Sequence, residues 1–564
     1  MNQKVKNYLF PSLITAVVAF VYYYLALPAM NVRSGEFWGM LLVLSITFIV
    51  SYLGIGNPDA FKRFSKWLSE AGAASNQKNK KSKKSKNDYV VGGSAPMPKW
   101  LKVFVIVLVG VIALVAILCF VTSSKVFRAK DYQQMLTVTE SDFAKDISEL
   151  DTSQIPTVDK DTAERLGSRK IGEVVELVSQ FNVAGYYSQI NYKNKPFRVT
   201  PLEYDGFLKW LSNRSEGIPY YVSIDMANPD EGTQLVKLSE GMKYSPSEYF
   251  ARDLKRHIRL AYPTKMFENL SFEVDDNGTP YWVMSYYTYT FGIVGGKDIA
   301  GIILVNAVTG EMVDYPIAEV PQWVDIAYSA ELLVEQADNW GSLKNGFINS
   351  IFVQKNVVVT TDGYNYIAVN DDIWLYTGIT SVVADESNIG FILINLRTKE
   401  AKTYMINGAE EYSAMGSAEG QIQEKGYIAT FPILLNVAEK PSYFISLKDN
   451  VGLVKAYAFV SVENYQIVGV ADTIDGAKAE YLRMLNIEVP ETGDDAETVS
   501  VSGIVENIAT TVVNGNSVYY IMISGVVYKA DISVSDLLPF IKTGDSVTLV
   551  TADNVVKSVY LTSP

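Results

Sequence analysis

Three long stretches of this chain contain no charged residue, and they limit its fold more than any other feature of its 564 residues. The stretches are 8–30, 37–55 and 103–124. About 20 helical residues cross a hydrocarbon core of ~30 Å, and buried helices of soluble proteins rarely stay uncharged for that length. The sequence therefore predicts three transmembrane helices, with 1–124 as a membrane anchor.

The first stretch has a second interpretation, as a signal peptide with Lys4 and Lys6 before its apolar part. That part is longer than the roughly 7–15 residues usual for a signal peptide, and the residues around Ala26 and Ala29 make a poor cleavage site. Cleavage would leave the other two stretches as a hairpin, so the final topology would be the same.

The orientation of the anchor follows from its lysines and arginines. The first connection carries Arg33 and Glu36 and is nearly neutral, whereas the second, 57–100, is strongly basic through Lys62, Arg63, Lys66, Lys78, Lys80, Lys81, Lys83, Lys84, Lys86 and Lys99. Basic loops stay in the cytoplasm. We therefore expect a bacterial cytoplasmic membrane protein with its N-terminus inside and 125–564 extracytoplasmic. Net charges of +10 for 1–124 and −23 for 125–564 agree with two different surroundings.

Six lysines lie within nine residues of the basic loop: Lys78, Lys80, Lys81, Lys83, Lys84 and Lys86. They could contact anionic lipid headgroups of the bilayer or nucleic acid, or they could simply form a solvated loop that enforces topology. No aromatic residue alternates with them, which argues against nucleic acid.

Residues 125–200 are predicted to be mostly helical, as a stalk or lead-in to the following domain. A second helix is predicted over 245–262, with Ser245 as cap, Pro246 at the first helical position and Glu248 completing a capping box. One face of this helix carries Arg252, Arg256 and Arg259, which either contact an anionic partner or lipid or form a solvated face. His257, the one histidine of the chain, is expected to be a packed or surface residue.

The chain also repeats itself. GIILVNAVTGE at 301–311 returns as GFILINLRTKE at 390–400, 89 residues later. The strand entry upstream of each copy, at 275–283 and 360–369, also recurs, with a third form at 217–226 and a weaker fourth at 440–447. Asn277-Gly278 and Asp362-Gly363, upstream of the two copies, are typical of two-residue hairpin turns. Because a hairpin with one apolar face is not stable alone, we expect an α+β unit reused in tandem and covered by helices such as 327–338 and 472–486.

The turn in this unit resembles that of PepSY-like domains, in which a strand ends in Asp/Asn-x-x-Thr-Gly-Glu. The second copy departs from that pattern, because Lys399 replaces the turn glycine. The resemblance implies tandem PepSY-like repeats, which we divide into 201–325 and 326–487. The whole chain also resembles a family of multi-span membrane proteins from Gram-positive, Clostridia-like bacteria, which implies an envelope location and supplies no activity; the likeness rests on KNYLFPSLITAVVAFVYYYLALPA, KDTAERLGSRKIGE, GTPYWV, VTTDGYNYIA, DESNIGF and AEEYSAMGSAEGQ.

The C-terminal region reads as a separate module. An acidic linker at 488–498 precedes 499–564, where three strands, a short helix and two strands predict a small OB-like barrel. Three lysines against five acidic residues provide no basic groove, so nucleic acid is not expected as a partner. Tyr519 and Tyr520 could stack on a sugar of the cell wall, although strand tyrosines more often pack against a core.

Few residues of the chain suit catalysis. With one histidine and with Cys119 in an apolar stretch, neither a histidine triad nor a cysteine nucleophile is available, and no phosphate-binding, dinucleotide-binding or nucleophile-elbow motif occurs. Asp275-Asp276 and Asp371-Asp372 could bind calcium or act as acid and base, but paired acids at turns are usually solvated. We expect no cofactor and no metal.

The predicted fold class is thus a membrane-anchored α+β protein with three transmembrane helices, tandem PepSY-like repeats and an OB-like barrel. The predicted function is non-enzymatic binding or assembly in the bacterial envelope, with a protein partner, a second copy of the chain or cell-wall glycan as partner. The alternative is a regulator of an envelope enzyme, or a carboxylate-dependent hydrolase acting on wall polymer.

Overall fold

A computed structural model describes residues 3–52, 54, 99–149, 151–382, 387–487, 499–513, 516–535, 537–552 and 554–561. The chain divides into two compact units, Met1–Met484 and Leu485–Pro564. The predicted linker, most of the predicted cytoplasmic loop and its six clustered lysines lie outside the described residues.

The apolar stretches form the helices Gln3–Ala26, Gly35–Ser51 and Lys99–Ser123. Two segments among the described residues, Tyr8–Ala26 and Val109–Gln133, are long and apolar enough to cross a membrane, whereas Gly35–Ser51 has only 17 residues. It starts at Gly35 because the side chain of Ser34 accepts a hydrogen bond from the Glu36 backbone N–H. The structure therefore has two candidate spans where the sequence predicts three.

The rest of the first unit is mixed α and β. Its other helices are Lys125–Gln133, Phe143–Asp146, Lys160–Gly172, Val175–Val178, Phe207–Asn213, Pro229–Gly232, Leu254–Ala261, Ala330–Ser342, Glu411–Gln421 and Ile474–Met484. Its strands are β1 Val138–Glu140, β2 Phe181–Val183, β3 Ser188–Tyr192, β4 Lys195–Tyr204, β5 Ile218–Asp225, β6 Thr233–Met242, β7 Met266–Val274, β8 Pro280–Phe291, β9 Gly295–Asn306, β10 Met312–Pro316, β11 Val358–Thr360, β12 Asn365–Val369, β13 Asp372–Ser381, β14 Ser387–Asn395, β15 Ala401–Tyr404, β16 Gly408–Ala409, β17 Ile428–Ala429, β18 Ile433–Val437, β19 Lys440–Lys448, β20 Val454–Ser461 and β21 Val468–Ala471.

These strands form four sheets, and each sheet contains four consecutive antiparallel strands: β3–β6, β7–β10, β12–β15 and β18–β21. A helix precedes each set, so one helix-plus-meander unit occurs four times. We call these units repeat 1 (160–242), repeat 2 (254–316), repeat 3 (330–404) and repeat 4 (411–471). In repeats 1, 3 and 4 a short extra strand shares the edge position, since β2, β11 and β17 pair with the same strands as β3, β12 and β18.

The two matching sequences form matching turns. After β9 the side-chain oxygen of Asn306 accepts hydrogen bonds from the backbone N–H groups of Val308 and Thr309, at 2.9 and 3.0 Å. After β14, Asn395 accepts from Arg397 and Thr398, both at 2.8 Å. The backbone bonds that close the two turns also correspond. The repeat seen in the sequence is therefore a repeat of hydrogen bonding.

Repeat 2 is buried on both faces of its sheet, not on one as the sequence suggested. In β9, Ile303 and Val305 belong to a core shared with repeat 1, whereas Ile302 and Leu304 belong to a core shared with repeat 3. Successive strand residues point to opposite faces, so a strand enclosed by two cores is apolar at every position. This explains the uninterrupted run Ile-Ile-Leu-Val in GIILVN.

Several local predictions need correction. Residues 125–200 are not mostly helical, because β2, β3 and most of β4 lie there. The helix expected over 245–262 begins only at Leu254, where Asp253 accepts from the Arg256 N–H. Asn277-Gly278 lies within a five-residue loop between β7 and β8, and Asp362-Gly363 joins two strands that both pair with β13. The helices expected at 327–338 and 472–486 are confirmed as Ala330–Ser342 and Ile474–Met484.

The second unit contains one six-stranded sheet, in the order β22-β26-β27-β25-β24-β23. Its strands are β22 Val499–Ile504, β23 Asn507–Val513, β24 Asn516–Ile523, β25 Val526–Asp531, β26 Ser546–Ala552 and β27 Val555–Leu561. In place of the predicted helix at 534–540 there are two single turns of 3₁₀ helix, Ile532–Val534 and Leu538–Phe540.

Candidate functional site

A cavity of about 230 Å³ lies where repeats 1, 2 and 3 meet. Repeat 1 contributes Gln189 and Arg198, and repeat 2 contributes the stretch 269–271. The segment 326–331, with Tyr366 and Ile373 of repeat 3, forms the remaining wall. No single repeat encloses this space, so it exists only because the repeats are packed together.

Two charged residues line this cavity: Arg198, which is only 7% exposed, and Glu331, whose carboxylate is exposed. The hydrogen bonds of Arg198 are long: Nε donates to the Val158 carbonyl at 3.4 Å and Nη2 to Gln189 Oε1 at 3.3 Å. Among the described residues no carboxylate lies within 4 Å of the guanidinium. The acid whose charge it senses, Asp159, is paired with Lys448.

Gln189 lies beside Arg198 because the two residues are directly opposite each other in the β3–β4 pair. A guanidinium can only donate hydrogen bonds, so the amide oxygen of Gln189 must face it. The Gln189 Nε2 group then points away, and this atom is buried without a partner among the described residues. Burial lowers the pKa of Arg198, which reflects the cost of keeping its charge away from water. Glu331 is not among the charges that act on Arg198. The surroundings of Arg198 therefore present unused donors and a positive charge without an ion-pair partner, which suits an anion.

A pair of buried carboxylates lies directly behind the cavity wall. Glu273 is 0% and Asp325 2% exposed. Glu273 accepts hydrogen bonds from the Asp325 N–H at 2.8 Å, the Ile326 N–H at 3.2 Å and the Ser271 hydroxyl at 2.8 Å. Asp325 in turn accepts from the Asn191 N–H at 2.8 Å. The wall residues 271 and 326 thus connect this pair to the cavity.

The pKa values of both carboxyl groups are raised, so their ionisation is disfavoured. Burial raises the pKa of Glu273 to about 7, and backbone and hydroxyl donors oppose that rise. Burial also raises the pKa of Asp325 well above its usual range, with repulsion from Glu273, Asp372 and Asp371 adding to the effect. The pair therefore holds a proton near neutral pH without lining the cavity itself.

A second feature joins repeat 2 to the apolar helices. The helix Gln3–Ala26 has no basic residue in its last turn, and its final carbonyls carry partial negative charge. Arg259, 2% exposed, donates from Nε to the Leu27 carbonyl at 3.0 Å. Arg256 donates from Nε to the Tyr24 carbonyl at 3.4 Å and lies over the Tyr24 ring at 4.3 Å. The two arginines thus cap this helix from another part of the chain.

The tip of the β8–β9 hairpin, residues 291–295, contacts the other apolar helices. The Ser123 hydroxyl, at the end of Lys99–Ser123, accepts from the Ile293 and Val294 N–H groups at 3.0 and 3.1 Å. Arg33, before Gly35–Ser51, donates to the Tyr289 carbonyl at 2.9 Å. We call Arg256, Arg259 and the tip 291–295 the helix-end dock.

The other predicted site residues lie apart from the cavity. Arg252 donates to the Arg214 carbonyl at 2.5 Å. Tyr519 packs against the core of the second unit, and Tyr520, the next strand residue, points to the opposite face, so the two cannot form one stacking surface. His257 bonds to the Gly310 carbonyl at 2.9 Å.

The two acidic turns, Asp275-Asp276 and Asp371-Asp372, lie closer together than the sequence indicated. The Asp276 charge contributes to a raised pKa of Asp371, after burial. Asp275, however, accepts from the N–H groups of its own loop, and Asp372 forms two hydrogen bonds with Arg397 at 2.7 and 2.8 Å. Within the described ranges no group of three or more His, Cys, Asp or Glu residues is placed to hold a metal ion.

Sequence reasoning did not find the Arg198 cavity. The local signal was slight: one arginine in the apolar, strand-like stretch KPFRVTPLEY, next to no obvious acid. The significance of Arg198 depends on residues up to about 200 positions away in the chain, which form the walls of the cavity around it.

No protein-family model and no curated protein matches this chain. Among solved structures it is similar to the C-terminal domain of YpeB from Bacillus megaterium, at 9% identity over 42% of this chain and 99% of that one, with a TM-score of 0.09. It is also similar to a B. megaterium levansucrase mutant, at 9% identity over 75% and 95% of the two chains and a TM-score of 0.17. A Bacteroides thetaiotaomicron endo-1,4-beta-xylanase gives 11% identity over 52% and 76%, with a TM-score of 0.15. Similarities this weak assign neither a fold nor an activity to this chain.

Proposed function

We propose that this protein is a membrane-anchored, non-enzymatic binding protein of the bacterial envelope, with its N-terminus in the cytoplasm and 125–564 outside. The observation that carries the proposal is the helix-end dock. Arg256 and Arg259 hold the end of the first apolar helix, and the hairpin tip holds the end of the third. A body that contacts both ends lies on one side of both helices, as an extracytoplasmic body would.

The proposal also includes a third membrane span, PepSY-like repeats and a C-terminal OB-like barrel. Gly35–Ser51 would return through the bilayer; its 17 residues measure about 26 Å, close to the ~30 Å core. The matching Asn306 and Asn395 turns support PepSY-like repeats. The order of the last sheet supports an OB-like barrel, because β22 and β23 are consecutive in the chain but occupy its two ends.

Cysteine labelling in a Gram-positive host tests the orientation. In a Cys119→Ser background, single cysteines replace Glu216, which is exposed in repeat 1, and Ser75, in the predicted cytoplasmic loop. A membrane-impermeant maleimide should label Glu216→Cys in intact cells and Ser75→Cys only after lysis. The reverse pattern would overturn the proposed location. The non-enzymatic role is tested separately: loss of wall-polymer turnover in an Asp371→Asn strain would instead indicate a carboxylate hydrolase.

A further inference from the structure

We propose that the Arg198 cavity is a binding site for a small organic carboxylate. The inference begins with the cost of the buried guanidinium. A charge removed from water destabilises the folded protein unless an opposite charge compensates it. The described residues provide no such partner within 4 Å, and the acid that acts on Arg198 electrostatically is already paired with Lys448. A folded protein that keeps this arrangement is adapted to receive the missing charge from a ligand.

The donors around the cavity match a carboxylate. Arg198 has five N–H donors and forms two hydrogen bonds, both to protein atoms. Gln189 adds an unpartnered Nε2 donor that is held in place by the bond between its amide oxygen and Arg198. A planar guanidinium pairs with both oxygens of a carboxylate, and a neighbouring amide can donate to one of them.

The size and polarity of the cavity further limit which ligands fit. A cavity of 150 Å³ accommodates benzene, so about 230 Å³ takes roughly nine non-hydrogen atoms. Leu270, Ile326, Ile373 and Leu396 supply apolar walls, which favour a short hydrocarbon part. Arg198 is the only basic residue of the described lining, so it balances one negative charge, whereas a phosphate dianion carries two. The fit is therefore to a monocarboxylate such as propionate or benzoate.

Two substitutions distinguish ligand binding from a structural role. Gln189→Glu changes one side-chain group and places a carboxylate beside Arg198, so it should occupy the ligand's position. Arg198→Met removes the charge while keeping most of the volume. Either variant should unfold at the same or a higher temperature than the wild type without ligand, because the uncompensated charge has been neutralised or removed.

The experiment uses the full chain in detergent micelles, titrated with acetate, propionate, L-alanine, benzoate and inorganic phosphate, and followed by calorimetry and thermal unfolding. At least one carboxylate should bind saturably and raise the unfolding temperature. Gln189→Glu and Arg198→Met should weaken that binding at least about tenfold, as expected for loss of a charged hydrogen bond. Glu311→Gln, an exposed change distant from the cavity lining, is the control.

The proposal is overturned if no carboxylate binds, if phosphate alone binds, or if Gln189→Glu binds the carboxylate as the wild type does. It specifies a ligand class for the proposed binding function but does not depend on orientation. Saturable propionate binding in a protein whose 125–564 region proved cytoplasmic would retain this inference and remove the envelope assignment.

Discussion

At the scale of single residues, the turns after β9 and β14 adopt the same backbone conformation with different side chains. The turn position has a left-handed conformation in both, with φ 77° at Gly310 and 64° at Lys399. At Gly310 an added Cβ would overlap the Tyr244 ring, so only glycine fits. Lys399 has room for its side chain, whose Nζ bonds to Asp298 at 2.7 Å. That ion pair makes the departure from the glycine pattern understandable.

We predict that Gly310→Ala destabilises the protein more than Lys399→Ala. The first change adds a left-handed alanine, at about 1 kcal/mol, to an overlap costing roughly 1–3 kcal/mol. The second keeps a side chain in a position that already accepts one and loses a partly buried ion pair, roughly 1 kcal/mol. Thermal unfolding of the full chain measures both, and equal losses would contradict the role assigned to Tyr244.

At the scale of elements, the helix-end dock shows that residues far away in sequence can supply the hydrogen-bond donors for the end of a helix. Arg259 donates to Leu27 and also to the Tyr262 and Lys265 carbonyls, and its guanidinium lies 3.9 Å from the Phe267 ring centre. It is neither a solvated residue nor free for a partner, the two roles that the sequence left open.

We predict that Arg259→Met loosens the dock, whereas Lys255→Ala, an exposed change on the same helix, does not. Losing one partner leaves several buried carbonyls without donors, at roughly 1–3 kcal/mol each where water cannot replace them. Hydrogen exchange should become faster at 27–34 and 291–296 in Arg259→Met alone. Unchanged exchange in that variant would show that the dock does not depend on Arg259.

The elements that sequence could predict are those whose signals are local. The repeated turns could be predicted from an asparagine and a threonine within four residues. The helices Ala330–Ser342 and Ile474–Met484 could be predicted from the spacing of apolar residues. The capping box at Ser245 failed because its residues are used in tertiary contacts. Glu248 is buried and accepts from the Tyr204 hydroxyl at 3.0 Å and from the Trp210 indole at 2.6 Å, so the helix starts instead at its Asp253 cap. The Arg198 cavity was out of reach for the same reason, since its walls come from three repeats.

At the scale of the whole molecule, packing repeats 1, 2 and 3 together encloses acidic groups that a single repeat would leave in water. Asp325 lies between repeats 2 and 3, and its backbone N–H and that of Ile326 are bound by Glu273 of repeat 2. The same packing brings Asn191 of repeat 1 onto Asp325. Contacts between repeats therefore depend on a pair of carboxylates that resists ionisation.

This makes the stability of the assembled repeats dependent on pH. The folded pKa of Glu273, about 7, exceeds its ordinary value of 4.5, so between these values the folded protein keeps a proton that the unfolded chain releases. The contribution of Glu273 is complete below about pH 4.5 and is lost as pH rises through about 7. Asp325→Asn removes a buried carboxylate whose ionisation is opposed by burial and by Glu273, so we expect the variant to gain stability relative to wild type as pH rises from 5 to 8. Urea unfolding at the two pH values measures this difference. The exposed Glu311→Gln should show no such gain, and if Asp325→Asn likewise shows none, the two carboxylates do not share a proton at this junction.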